Sequence, residues 1–304
     1  MSVAADSLSE AGVDLCGLQL AHRVINGSGT FDALAASRVF GAPLLRDFPF
    51  AAYVSKTITL ERRDGNPAPR LWEAAGGLIN SIGLPNKGLD GYLAEDLPQL
   101  SELLAGAGID GEPVPLITNV MGSTGEELAR LVAACDERAE IAAIELNVSC
   151  PNVKTGLDIG ADPRQLEQVV RACRGRTRKP LIVKLTPNTA DVALCAQAAE
   201  EAGADAVSLI NTLRAMALAP GGSRSRWLGG GTGGLSGPAI RVVALAQVAA
   251  VAARVKLPVI GMGGVQRAAH ARDLLDAGAS LVAVGSESFR DPTIAGRIAR
   301  ELAG

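Results

Sequence analysis

Glu201-Ala202-Gly203-Ala204-Asp205-Ala206-Val207 returns, imperfectly, as Asp276-Ala277-Gly278-Ala279-Ser280-Leu281-Val282. Each copy ends an Ala/Leu/Glu-rich segment of helical spacing on a glycine and opens a β-branched run, the signature of a helix C-terminus feeding a strand. Working outward, short β-rich runs recur at Val24–Gly27, Tyr53–Thr57, Leu116–Val120, Ile141–Asn147, Leu181–Leu185, Ala206–Asn211, Val259–Met262 and Leu281–Val284. Between most of them the spacing predicts helices, at Gly125–Glu137, Asp162–Arg174, Asp191–Ala202, Pro238–Arg254 and Ala268–Ala277. Alternating β and α with eight strands points to an α/β protein closed as a (β/α)8 barrel. The 304 residues suit one such barrel, which needs about 250, so residues 1–304 are read as a single domain. An open doubly wound sheet is the alternative, but no G-x-G-x-x-G opens a first helix.

In a barrel the chemistry sits where strands end at the C-terminal face. Ile144-Glu145-Leu146-Asn147-Val148-Ser149-Cys150-Pro151-Asn152 is an apolar run that breaks into Asn, Cys, Pro and Asn. A thiol between amides there is either a proton-transfer or nucleophilic group or a buried structural cysteine. The other ends carry Ser28-Gly29, Lys56-Thr57, Asn119, Lys184, Asn211-Thr212, Gly263-Gly264 and Gly285-Ser286. Eight ends ring one pocket, so their convergence says more than any one of them. The glycines after the last two strands suit a phosphate, because they let backbone N–H groups approach an anion and a following helix adds its dipole. Ordinary Gly-rich turns are the plainer reading. Lys56 and Lys184 lie inside apolar strands, where an ammonium calls for an anionic partner or a depressed pKa with Schiff-base chemistry; surface-facing lysines are the alternative. Gly77–Asn86 is too apolar for a free loop and too broken by Gly and Pro for a helix; it is expected to fold over the barrel mouth and offer Asn80 to the pocket.

Composition narrows the partners. Residues are 48% hydrophobic and 3% aromatic, which leaves few rings to stack on bases. With 29 Lys and Arg against 32 Asp and Glu the net charge is −3, and no basic field favours nucleic acid or an acidic membrane. The five cysteines, Cys16, Cys135, Cys150, Cys173 and Cys195, are scattered and form no C-x-x-C, against a disulfide framework, a zinc site or an iron–sulfur cluster held by this chain alone. No apolar stretch is long enough to span a bilayer, and Met1–Asp6 lacks a basic, apolar signal pattern, so the expected setting is the cytoplasm.

The segments SKTITLERRDGNPAPR (from Ser55), INSIGLPNKG (from Ile79), IELNVSCPNVKTG (from Ile144), LIVKLTPN (from Leu181), SLINTL (from Ser208), GTGGLSGPAI (from Gly231), VIGMGGV (from Val259) and AVGSESF (from Ala283) occur in order along the chain. Together they resemble the class 1 dihydroorotate dehydrogenases, most closely the NAD-linked class 1B catalytic subunit, from about Val24 to Phe289. The resemblance implies a TIM barrel with loop insertions over its C-terminal face that binds FMN and oxidises dihydroorotate to orotate in pyrimidine synthesis. It makes Cys150 the base that takes the C5 proton while hydride leaves C6 for the flavin. It places Lys184 at the flavin edge where negative charge develops, and Lys56 beside flavin and substrate. Asn80, Asn147, Asn152 and Asn211 would hold the pyrimidine, amides offering donors and acceptors without charge. Ile82, Gly83 and Leu84 would lend backbone groups, with Thr212 at the flavin–substrate boundary. Ser28, Gly29, Thr57, Asn119, Asn147, Ile210, Gly237, Gly263, Gly264, Gly285 and Ser286 would complete the FMN site. The resemblance further implies a homodimer and a partner subunit carrying FAD and a [2Fe–2S] cluster. Arg214–Gly230 and Arg241-Val242-Val243 depart from the usual 1B wording and bear on the acceptor and the partner interface. A dehydrogenase for another reduced pyrimidine such as dihydrouracil, and a Schiff-base aldolase using Lys184, stay as alternatives.

Overall fold

The computed structural model describes residues 12–41, 47–149, 159–221 and 224–304. Eight strands run in one parallel sheet: β3 (Val24–Asn26), β4 (Tyr53–Val54), β7 (Leu116–Val120), β8 (Ala143–Asn147), β9 (Leu181–Lys184), β10 (Ala206–Leu209), β13 (Val259–Met262) and β14 (Leu281–Val284). From β4 onward each pairs with the next in this order, and β14 returns to β3. The remaining seam, between β3 and β4, is bridged by a side chain. The Asn26 amide donates to the Val54 carbonyl at 2.8 Å and accepts from the Val54 N–H at 2.7 Å, copying a ladder pair. Asn26 is fully buried, and the Ala51 N–H adds a bond to the Val24 carbonyl at 3.0 Å. The sheet is thus a closed (β/α)8 barrel.

The helices form where their sequences supply caps and one apolar face. Pro163–Arg174 starts on Asp162, whose carboxylate accepts from the N–H groups of Arg164 and Gln165, and it buries Leu166, Val170 and Cys173 on one stripe. Asp191 caps Val192–Glu201 in the same way, and Thr124 caps Gly125–Asp136. The repeated glycines do the same job twice. Gly203 and Gly278 have φ of +92° and +105°, and the next residue bonds back five positions, Ala204 to Ala199 and Ala279 to Leu274, at 3.0 Å in both copies.

Three departures from the expected elements bear on the site. Pro238–Ile240 is a 3-10 turn and the α-helix runs only over Arg241–Ala252, because Gly237 at φ +94° turns the chain just before it. The second strand stops at Val54 rather than Thr57. The Ser55 N–H bonds to Ile117 O and the Ile58 N–H to Asn119 O, so Lys56-Thr57 holds one residue more than the partner strand. The segment after Gly77 is a strand. β5 (Leu71–Ala74), β6 (Gly77–Asn80), β11 (Leu213–Ala215) and β12 (Gly233–Ser236) form an antiparallel sheet in the order β11-β12-β6-β5, backed by Trp72, Ile79, Ala217, Trp227 and Leu228.

The core has two parts. Most apolar residues pack between helices and barrel wall. Inside the barrel, Ile25, Val54, Ile117, Ala143, Ile182, Ala206, Ile260 and Leu281 meet Val13, Leu15 and Leu20 of the hairpin formed by β1 (Val13–Leu15) and β2 (Leu18–Leu20), which plugs the N-terminal end. Among the described residues no helix is long and apolar enough to cross a membrane, and no cluster of His, Cys, Asp and Glu could hold a metal ion.

Candidate active site

The C-terminal strand ends open into a cavity of about 840 Å³. Of the residues singled out from sequence, Ser28, Gly29, Lys56, Thr57, Asn80, Ile82, Leu84, Asn147, Lys184, Ile210, Asn211, Thr212, Gly237, Gly263, Gly264, Gly285 and Ser286 line it. The small sheet forms one wall, bringing Leu71, Leu78, Asn80 and Ser236 over the barrel mouth. Cys150 and Asn152 lie outside the described residues; Ser149, immediately before Cys150, lines the cavity.

One side of the cavity is an arc of amides and hydroxyls. Ser28 Oγ donates to the Ser55 carbonyl at 2.8 Å and sits 3.4 Å from Thr57 Oγ1. Asn147 donates to Thr57 Oγ1 at 3.4 Å, while its carbonyl oxygen accepts from the Asn211 amide at 3.4 Å. Asn211 also donates to Ser149 Oγ at 3.0 Å and accepts from the Thr212 N–H at 2.9 Å. A third amide, Asn188, ties this edge together: it donates to the Thr212 carbonyl at 3.1 Å and accepts from the Arg214 N–H at 2.9 Å. Facing amides with fixed rotamers suit a flat ligand that has both donors and acceptors on its rim.

The opposite end is a cradle of glycines and hydroxyls. Gly264 has φ +69°, and a Cβ there would come within 2.9 Å of the Gly237 carbonyl oxygen and of Arg241 Cβ; at Gly263 it would meet Ala244 Cβ at 2.6 Å. Ser286 Oγ donates to Ser236 Oγ at 2.7 Å in the cavity wall. The 3-10 turn Pro238–Ile240 leads into helix Arg241–Ala252 beside it, and Ser286–Phe289 makes another short 3-10 turn. Backbone that comes this close only without side chains, with hydroxyls and a helix start nearby, is what a phosphate monoester requires.

The two lysines differ. Lys184 is 5% exposed on β9, between Asn147 of β8 and Ser208 of β10. Every ion pair among the described residues lies elsewhere. Among the described residues its ammonium thus has no carboxylate within ion-pair distance where it lines the cavity, and a bound group with negative charge would compensate it. Lys56, expected inside a strand, is exposed: the extra residue at Lys56-Thr57 swings it off the barrel wall, and it needs no buried partner.

Two further expected residues are not among those lining the cavity. Gly83 does not line the cavity; with φ +76° it packs against Asn66, whose backbone nitrogen would stand 2.5 Å from a Cβ. Asn119 lies beneath the cavity rather than on its surface, donating to Glu145 Oε2 at 2.5 Å, with its own carbonyl oxygen buried and unpartnered among the described residues. Glu145, with Ser208 donating to its other oxygen at 2.6 Å, went unnoticed in the sequence because it reads as one polar residue in an apolar strand. Asn26 and Asn188 were likewise missed.

The other thiols are structural. Cys135 and Cys173 are buried and their thiols are pushed up to about 12 by desolvation. Cys16 reaches about 11 through burial and the nearby Asp205 and Asp14 carboxylates, and donates to the Asp205 carbonyl.

Comparison with known proteins agrees with this geometry. The family model described as Dihydroorotate dehydrogenase matches residues 11–304. The chain is similar to the dihydroorotate dehydrogenase B (NAD(+)) catalytic subunit of Pelobacter propionicus, 46% identical over 95% of this chain and 91% of that protein. Similarity to the subunits of the same name from Citrifermentans bemidjiense and Geobacter sulfurreducens is 43% and 41%, each over 96% of this chain and 92% of the relative.

Proposed function

The chain belongs to the dihydroorotate dehydrogenase family, and from that membership we propose that it oxidises dihydroorotate to orotate for pyrimidine synthesis in the cavity at its barrel mouth. The observation that carries this reading is the cavity's two unlike ends, a glycine and hydroxyl cradle at one and a ring of amides at the other, with one buried ammonium between the strands that bear them. The donor set fits FMN: Gly264, Gly285, Ser286 and Ser236 would take the phosphate, and Ser28, Gly29, Thr57, Asn147 and Ile210 the ring system. FMN, when bound, supplies the acceptor for the hydride lost from C6 of the substrate.

The chain's own residues do the rest. Asn80, Asn147, Asn211 and, from outside the described residues, Asn152 would hold the pyrimidine ring and its carboxylate through amide hydrogen bonds. Thr212, fixed by Asn188, would set the edge of the substrate's plane. Cys150 follows Ser149, which lines the cavity, and in the thiolate form would accept the C5 proton. Lys184 presents a fixed cation in a buried wall, where charge stabilisation is stronger than in water.

Relatives carrying the printed name are catalytic subunits of an NAD(+)-type enzyme. We read this chain as the equivalent part, a homodimer working in the cytoplasm with a subunit that carries FAD and a [2Fe–2S] cluster. The test is anaerobic: the purified protein should be yellow with flavin absorbance, bleached by dihydroorotate and not by dihydrouracil. A colourless protein that FMN cannot reconstitute would end this reading.

A further inference from the structure

The barrel interior holds one charge that the chemistry above leaves unused. Glu145 is 3% exposed on β8, two residues before Asn147 and on the same inward face. Its two carboxylate oxygens accept from Asn119 Nδ2 at 2.5 Å and Ser208 Oγ at 2.6 Å, both neutral donors that are themselves fully buried. No cation comes within ion-pair distance of it among the described residues. Both carboxylate oxygens are thus met by hydrogen-bond donors. The layer beneath it is Ile117, Ala143, Ile182 and Ala206. An apolar side chain would have continued that packing without burying a charge.

The position of this charge relates it to Lys184. Ser208 is the cross-strand partner of Lys184 on one side, and Asn147 on the other. The carboxylate thus lies one layer below the ammonium on the same inner wall, held there by Lys184's own strand neighbour. We propose that Glu145 is a positioning residue that acts through Lys184, offsetting part of its charge so that the bound flavin has a lower reduction potential than Lys184 alone would give. The inference rests on the flavin reading above. A cation beside a flavin favours the reduced, more negative form, and a carboxylate behind that cation opposes it. At separations on the order of 10 Å and the effective dielectric of a protein interior, removing the carboxylate is worth about tenfold in the ratio of reduced to oxidised flavin. For a two-electron couple that is a rise of ~30 mV.

The experiment measures the flavin midpoint potential of the FMN-bound protein against a reference dye, in the parent and three variants. Glu145→Gln and Glu145→Met both remove the charge, one keeping a polar head and one not, so that either suffices if the other does not fold. Both should raise the ratio about tenfold at a fixed ambient potential. Glu145→Asp keeps the charge and should stay within about twofold of the parent. Neutral variants with an unmoved or lowered ratio overturn the proposal, as does an Asp variant that shifts as far as they do, which would put the effect in packing. A parent that binds no flavin overturns the functional reading and this inference together. A parent that is bleached by dihydroorotate, with neutral variants that keep its potential, overturns this inference alone.

Discussion

Replacing Asn26 tests whether one side chain closes the barrel. Its amide makes both halves of a ladder pair with Val54, at 2.7 and 2.8 Å, and a third bond to the Gly27 carbonyl at 3.2 Å. Val54 is 2% exposed, so Asn26→Ala leaves a buried N–H and a buried C=O unpartnered. Each costs about 1–3 kcal/mol, and the truncated side chain adds a small cavity, so about 3–5 kcal/mol should be lost if water relieves part of the deficit. Asn26→Asp is the informative comparison. It can still accept from the Val54 N–H but sets a carboxylate oxygen against the Val54 carbonyl; it keeps one bond of the pair and should cost less than Ala only if that bond outweighs the new repulsion. The assay is urea unfolding of both variants and parent at one fixed FMN concentration, since cofactor binding adds its own stability. A loss below about 1 kcal/mol for Asn26→Ala would refute the reasoning, because buried ladder groups cannot be released that cheaply. Ser28 and Lys56 follow these strands, so weakened FMN binding should accompany the loss.

Three other outcomes are expected. Cys150→Ala should keep FMN bound but slow flavin reduction by dihydroorotate about 10²–10⁴-fold in anaerobic stopped flow, whereas Cys150→Ser retains more activity with its optimum at higher pH; a native rate in the Ala variant would show the base to be another group. Gly264→Ala forces a Cβ to 2.9 Å from the Gly237 carbonyl oxygen at φ +69°, so FMN affinity measured by fluorescence titration should fall at least tenfold, about 1.4 kcal/mol, with a smaller loss in folding stability. His22 accepts from the Val24 N–H, and burial lowers its pKa from 6.5 to about 4. A folded-state value below the unfolded one means stability is intact above pH 6.5 and declines as pH falls toward 4; His22→Asn should flatten that part of the pH–stability curve in thermal melts, and an unchanged slope would assign it to the carboxylates instead.

Much of the site was legible because its signals are local. Strand ends at Asn147, Lys184, Asn211, Gly264 and Ser286 were readable from a hydrophobic run meeting polar or glycine residues, and all five line the cavity. Leu116–Val120, Val259–Met262 and Leu281–Val284 are strands with the expected bounds. The small sheet was less visible. β6 contains two residues of weak strand preference, Gly77 and Asn80, and is a strand because β5 and β12 pair with it on both sides. Lys56 differs from expectation for a similar reason: its apolar neighbours look like strand, while the added residue that leaves it exposed at the cavity shows only in the pairing with β7.

What the sequence alone determined was periodicity and punctuation: eight parallel strands, the glycine turns at Gly203 and Gly278, and a rim of amides, lysines and glycines. These depend on residues a few positions apart, whose spacing sets which face is buried and where the chain can turn. The tertiary structure decided which buried polar groups meet. Asn26 finds Val54, and Glu145 finds Ser208 across 63 residues of chain. Those pairings need the barrel closed in one register, and a buried donor must take whatever acceptor that register brings within reach.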